Sequence, residues 1–201
     1  MRVELTIPSS TNEISLGAYQ KFAKVEGDAD FTARKMLQIF CGVDDVFKVT
    51  VSDINAIAAI ITEALSEKPE ELIKQFSLNG KRLGFVPNLS KLTYGEFIDL
   101  ERYISDWDNM HKAMSILYRQ VVNEKGGMYD IVEYNGTENA EEYKDMPISV
   151  VFSAIVFFYR IGNKISSHYL SNLEEEMNRE KKAILKVWPA RMIEVPLTSG
   201  I

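Results

Sequence analysis

One cysteine and two histidines among 201 residues leave little from which to build a metal centre or a nucleophilic dyad. Cys41 has no partner for an intramolecular disulfide, and a lone thiol in the apolar stretch Ile39 to Val43 suits a reducing compartment. Excess positive charge is missing as well. With 23 bases against 29 acids the net charge is −6, which removes the main electrostatic reason to expect a nucleic-acid partner. Long apolar runs are also lacking: the most apolar segment, Ile148 to Ile161, falls short of the roughly 20 residues that a bilayer crossing needs, and Arg160 and Lys164 close it. The opening residues, Met1 to Ser10, carry too short an apolar run for a secretory signal, so export is not expected and the cytoplasm is. The triplets at Asn88 and Asn135 therefore count as chance matches to the glycosylation pattern. GxxxxGK(S/T), GxGxxG after a strand, HExxH and GxSxG are all absent, so nucleotide, dinucleotide, zincin and hydrolase chemistry lack their usual anchors.

What is present is the composition of a folded chain, with 46% hydrophobic residues and only six prolines, which excludes a disordered or collagen-like polymer. Alternating Val3, Leu5 and Ile7 predict a short strand. Helices are predicted from Ser15 through Lys24, from Asp30 to about Phe40, after Ser52 along Ile54, Ile57, Ile61 and Leu65, and briefly from Pro69 through Gln75. The period then changes. Asn79-Gly80 between Phe76/Leu78 and Leu83/Phe85 predicts a tight hairpin. Thr93 and Glu96 form a capping-box pattern ahead of Phe97, Leu100, Ile104 and Trp107, and a further helix follows along Met110, Ala113, Met114, Leu117 and Val121. Gly126-Gly127 breaks it, Met128 to Tyr134 alternates, and Asn135-Gly136 turns the chain into an acidic helix ending before Pro147. The run from Val150 to Tyr159 is apolar almost all round, which predicts a helix at the centre of the core. The fold class is therefore α+β and mainly α-helical, a helical core with one or two short β-hairpins. Expected domains are a globular body over 1–163, a charged projecting helix over 164–186, and an extended apolar C-terminal arm over 187–201.

Candidate chemistry is thin. Cys41 and His111 could act as a thiol–imidazole pair only if the fold brings them together; otherwise Cys41 reads as a buried structural residue and His111 and His168 as surface residues. Glu96 and Asp99 share a helical flank as catalytic carboxylates could, although Glu96 has a capping role. Glu138, Glu141, Glu142 and Asp145 gather negative charge without the spacing or central glycine of a calcium loop. Catalytic, cofactor and metal residues are accordingly expected to be none. The C-terminus is more informative: Pro189 and Pro196 forbid a helix while Val187, Trp188, Met192, Ile193, Val195 and Leu197 supply apolar anchors, so these six are the candidate partner-binding residues, docking on this chain or a neighbour.

The run from Leu92 to Arg119, with Gly84 to Asn88 before it and Pro147 to Asn163 after it, resembles small proteins encoded among the tail and virion genes of tailed bacteriophages. The resemblance is strongest in two words, Gly95-Glu96-Phe97-Ile98-Asp99-Leu100 and Met110-His111-Lys112-Ala113-Met114 continuing through Ile116-Leu117-Tyr118-Arg119, and Glu13 to Val25 looks like the same group. It implies a role in tail assembly, as a chaperone or as a component of tail, baseplate or neck. The expected partners are other phage proteins and itself, with no nucleic acid, membrane or small-molecule substrate. The location implied is the host cytoplasm during assembly, or the virion. It supplies no active site. The competing readings are a small enzyme using an unrecognised carboxylate or the Cys41 and His111 pair, and a host-directed binding protein.

Overall fold

The computed structural model describes residues 5–161. The chain divides into two compact units, 1–157 and 158–201, and the elements below belong to the first except for helical residues 158–161. The boundaries expected at 163 and 186 lie outside the described residues.

Three helices open the chain, α1 (Leu16–Phe22), α2 (Ala29–Phe40) and α3 (Val51–Ser66). Ser15 caps α1 as its hydroxyl accepts the Ala18 N–H at 3.2 Å. The caps of α2 and α3 are Asp28 and Thr50, each two residues ahead of the expected Asp30 and Ser52. Both sites offer two capping residues two positions apart, and the earlier one lengthens the helix while freeing Asp30 to pair with Arg34 one turn on, at 3.1 Å. Ala33 and Leu37 of α2 meet Ile54, Ile57 and Ile61 of α3 around Val46. The strand expected at the start does not form over its described part: Leu5 and Ile7 lie without strand pairing and pack on this same cluster, so their alternation reflects contact with helices.

The helix expected from Pro69 through Gln75 is also absent, and 67–74 has no regular helix. Other elements satisfy its backbone. The Ile73 N–H donates to the Ser153 hydroxyl at 3.1 Å, and the Ile73 carbonyl accepts from the Tyr118 hydroxyl at 2.8 Å. This extended chain leads into β1 (Gln75–Leu78), which turns at Asn79 and Gly80, at φ +49° and +76°, into β2 (Lys81–Phe85) as the Asn-Gly pair predicts.

A second hairpin, β3 (Tyr118–Lys125) and β4 (Met128–Ile131), joins the first through pairing of β2 with β3, giving one antiparallel sheet in the order β1-β2-β3-β4. The helix expected through Val121 therefore stops at Leu117. Tyr118 to Gln120 enter the sheet by pairing with Phe85 to Leu83 of β2, and Val121 pairs with Ile131 of β4. On the sheet, the Tyr129 ring lies over Gly84, where an added Cβ would come within 2.5 Å of it. Gly84→Ala should therefore cost about 1–3 kcal/mol through overpacking, read by thermal melting; an unchanged midpoint would show that the ring moves freely.

Between the hairpins run α4 (Tyr94–Tyr103) and α5 (Met110–Leu117). The expected capping box is complete: the Glu96 N–H donates to Thr93 Oγ1 at 3.3 Å, and the Thr93 N–H donates to Glu96 Oε2 at 2.6 Å. Thr93→Ala should cost about 1 kcal/mol, measured by chemical denaturation. The face of α4 differs from the expected stripe. Leu100 and Glu96 are buried, Phe97 is 53% exposed, and Trp107 stands outside α4 in a 3-10 turn, Trp107–Asn109, where it meets Tyr19 and Phe152.

The acidic segment forms a 3-10 helix, Ala140–Asp145, and Pro147 precedes a helix over 148–161, α6. Ile148, Val150, Val151 and Ala154 are buried, so its first turns sit in the core as expected, whereas Tyr159 is 70% exposed. Backbone bonds tie its start to that of α1, from Leu16 N–H to the Met146 carbonyl and from Ile148 N–H to the Ile14 carbonyl, each at 2.8 Å. The fold is mainly helical α+β.

Candidate functional site

The six expected partner-binding residues, Val187, Trp188, Met192, Ile193, Val195 and Leu197, lie outside the described residues, as does His168. The remaining candidates fall into three separate settings. Cys41 is half-buried beside the α2 and α3 cluster, less enclosed than expected, and burial pushes its thiol pKa up, away from the reactive thiolate.

His111, expected on the surface, is 3% exposed. It lies on α5, where every residue from Met110 to Leu117 except Lys112 is buried, and Gln20 of α1 stands against its ring. The Gln20 amide nitrogen donates to the Trp107 carbonyl at 2.6 Å and lies 3.2 Å from both the Asp108 carbonyl and His111 Nδ1, while His111 Nε2 stands 3.3 Å from Glu141 Oε1. Burial lowers the imidazole pKa, Lys144 adds to that, and Glu141 opposes it. With the folded pKa below the unfolded value of about 6.5, the unfolded chain binds more protons, so stability should fall as pH drops through that region. Denaturation at pH 7 and pH 5 should show this loss in the native chain and a smaller one in His111→Gln; equal losses would place the acid sensitivity elsewhere.

Glu96 and Asp99, candidates for a carboxylate pair, point to different partners. Asp99 Oδ2 accepts from the Tyr134 hydroxyl at 2.6 Å, which straps the loop after β4 to α4. Glu96 is 3% exposed, with Oε2 on Thr93 and Oε1 2.6 Å from an Arg119 guanidinium nitrogen. Burial would push its pKa up, but the Thr93 amide and hydroxyl together with Arg119 outweigh it and hold the carboxyl below its usual range. A general acid needs the opposite shift. The acidic group at 138–145 is likewise divided, since Glu142 pairs with Lys81, Glu141 with Lys144, and Asp145 accepts from Asn79. Among the described residues, no three His, Cys, Asp or Glu side chains gather as a metal site, and no helix is long and apolar enough to cross a membrane.

Sequence reasoning missed the Arg119 contact. It connects the segments Gly95 to Leu100 and Met110 to Arg119 through a buried ion pair. With Glu96 and Leu100 turned inward, the 3.6-residue period turns Tyr94, Phe97 and Ile98 outward, at 80%, 53% and 36% exposure. This aromatic face is the candidate binding surface. No family model, no curated protein and no solved structure matches the chain. A further apolar feature lies where the chain leaves β2: Leu72, Val86, Pro87, Leu89, Met128 and Phe157 line an open cleft of about 710 Å³.

Proposed function

We propose that this chain is a tailed-bacteriophage assembly protein that acts without catalysis, by binding other phage proteins, either as a component of tail, baseplate or neck or as a tail assembly chaperone. The observation that carries the reading is the outward face of α4. Tyr94, Phe97 and Ile98 are large apolar side chains at 80%, 53% and 36% exposure, on a helix anchored from beneath by the buried Glu96 and Arg119 pair, inside the segment that resembles phage tail-gene products. Aromatic side chains fixed on a rigid element suit association, because they bury large area at low cost in conformational entropy.

Quantitative mass spectrometry of purified particles and of assembly intermediates tests the reading. A component appears in mature particles at fixed stoichiometry; a chaperone appears in intermediates and is lost from mature particles. Absence from both overturns the proposal.

A further inference from the structure

The chain contains two Asn-Gly pairs, Asn79-Gly80 and Asn135-Gly136, and the fold treats them differently. Spontaneous deamidation requires the backbone nitrogen of the following residue to reach the asparagine Cγ. Glycine favours this because it has no Cβ to obstruct the approach. Sequence flags both sites equally, and backbone setting separates them.

Asn135 is exposed in a segment, 132–136, without regular structure, and a Cβ placed on Gly136 would meet nothing within 4 Å. Gly136 at φ +83° and Gly80 at φ +76° both stand in open space, so the hairpin around Asn79 is what separates the two sites. Asn79 occupies the first corner of a two-residue hairpin turn, at φ +49°, beneath the Leu78 and Lys81 pair, and its side-chain amide donates to Asp145 Oδ2 at 3.4 Å. Such a turn holds ψ of its first corner near about +30°, which keeps the side chain from closing on the next nitrogen. Opening it forfeits at least one hairpin hydrogen bond, worth about 1 kcal/mol net.

We infer that Asn135 is a site of spontaneous deamidation in the folded protein and that Asn79 is protected by its hairpin. The Gly136 backbone nitrogen, having lost its proton to base, attacks Asn135 Cγ. The new N–Cγ bond forms, the Cγ–Nδ2 bond breaks, and the nitrogen leaves as ammonia with a proton from water. Water then opens the resulting succinimide at either carbonyl, giving aspartate or isoaspartate. Net charge goes from −6 to one unit more negative. The new carboxylate arises in a loop that also lines a small cleft with Arg119 and Glu142. On the isoaspartate branch the main chain gains one methylene directly after Tyr134, the residue that straps this loop to Asp99.

Incubation of the full chain in mildly alkaline buffer, followed by peptide mapping, reads both sites in one sample as a mass gain of about one dalton, with enzymatic isoaspartate methylation as a second readout. Conversion at Asn135 should run about fivefold or more ahead of Asn79, the rate equivalent of the hairpin opening cost of about 1 kcal/mol. In denaturant the two sites should convert at similar rates. Equal native rates, faster conversion at Asn79, or no conversion at Asn135 would each overturn the assignment. A native difference that persists unchanged in denaturant would do so too, because it would belong to the local sequence.

Discussion

Arg119→Met should destabilise the protein by about 3–5 kcal/mol, because it strands a desolvated carboxylate. Glu96 is 3% exposed and its Oε1 faces the Arg119 guanidinium at 2.6 Å, so the variant removes the one cation that, among the described residues, balances this carboxylate at contact distance. The double variant Glu96→Gln with Arg119→Met should recover most of that loss, since a neutral amide can still accept the Thr93 N–H and neither group then carries a buried charge. Urea denaturation of the two singles and the double completes the cycle. A single Arg119→Met variant within about 1 kcal/mol of the native chain would mean that the carboxylate is solvated, and that α4 is not anchored by this pair.

Tyr118→Ala should cost about 3–5 kcal/mol, a large share of the roughly 5–15 kcal/mol by which a domain is stable. Tyr118 is 0% exposed at the junction of β2 and β3, its ring edge-on to Phe76 and Phe85 at 5.4 and 5.2 Å between centroids. Its hydroxyl donates to the Ile73 carbonyl, and its own carbonyl accepts from the Tyr143 hydroxyl at 2.7 Å. Tyr118→Phe keeps the ring and leaves the Ile73 carbonyl without that donor, so it should cost about 1–3 kcal/mol. Equal losses for the two variants, by chemical denaturation, would show that the hydroxyl contributes as much as the ring and that the aromatic packing is expendable.

The features legible in the sequence were those whose cause is local. Ser15 and the Thr93 and Glu96 box announced the starts of α1 and α4, Asn79-Gly80 announced a hairpin, and the apolar run after Pro147 announced a core helix. The fold class followed from those periods. What local pattern could not reveal depended on distant partners. Tyr118 to Val121 continue an apolar spacing that suits a helix as well as a strand, and pairing with β2 and β4 decides between them. Leu5 and Ile7 alternate as a strand would, yet α2 and α3 receive them. At the candidate site, Glu96 was visible as a cap and Phe97 as apolar. That Glu96 reaches Arg119 and turns Phe97 toward solvent required the antiparallel return of the chain, which no spacing encodes.

Co-purification from infected cells, comparing the native chain with Phe97→Ser/Ile98→Ser, tests most directly the claim that the α4 face binds phage proteins. The native chain should enrich virion or assembly proteins of the phage. The variant should melt within a few degrees of it, with direct binding to the enriched partner weakened about thirtyfold or more, the equivalent of losing about 2 kcal/mol at an aromatic hot spot. Equal binding by both chains, or enrichment of no phage protein by the native chain, would contradict the account.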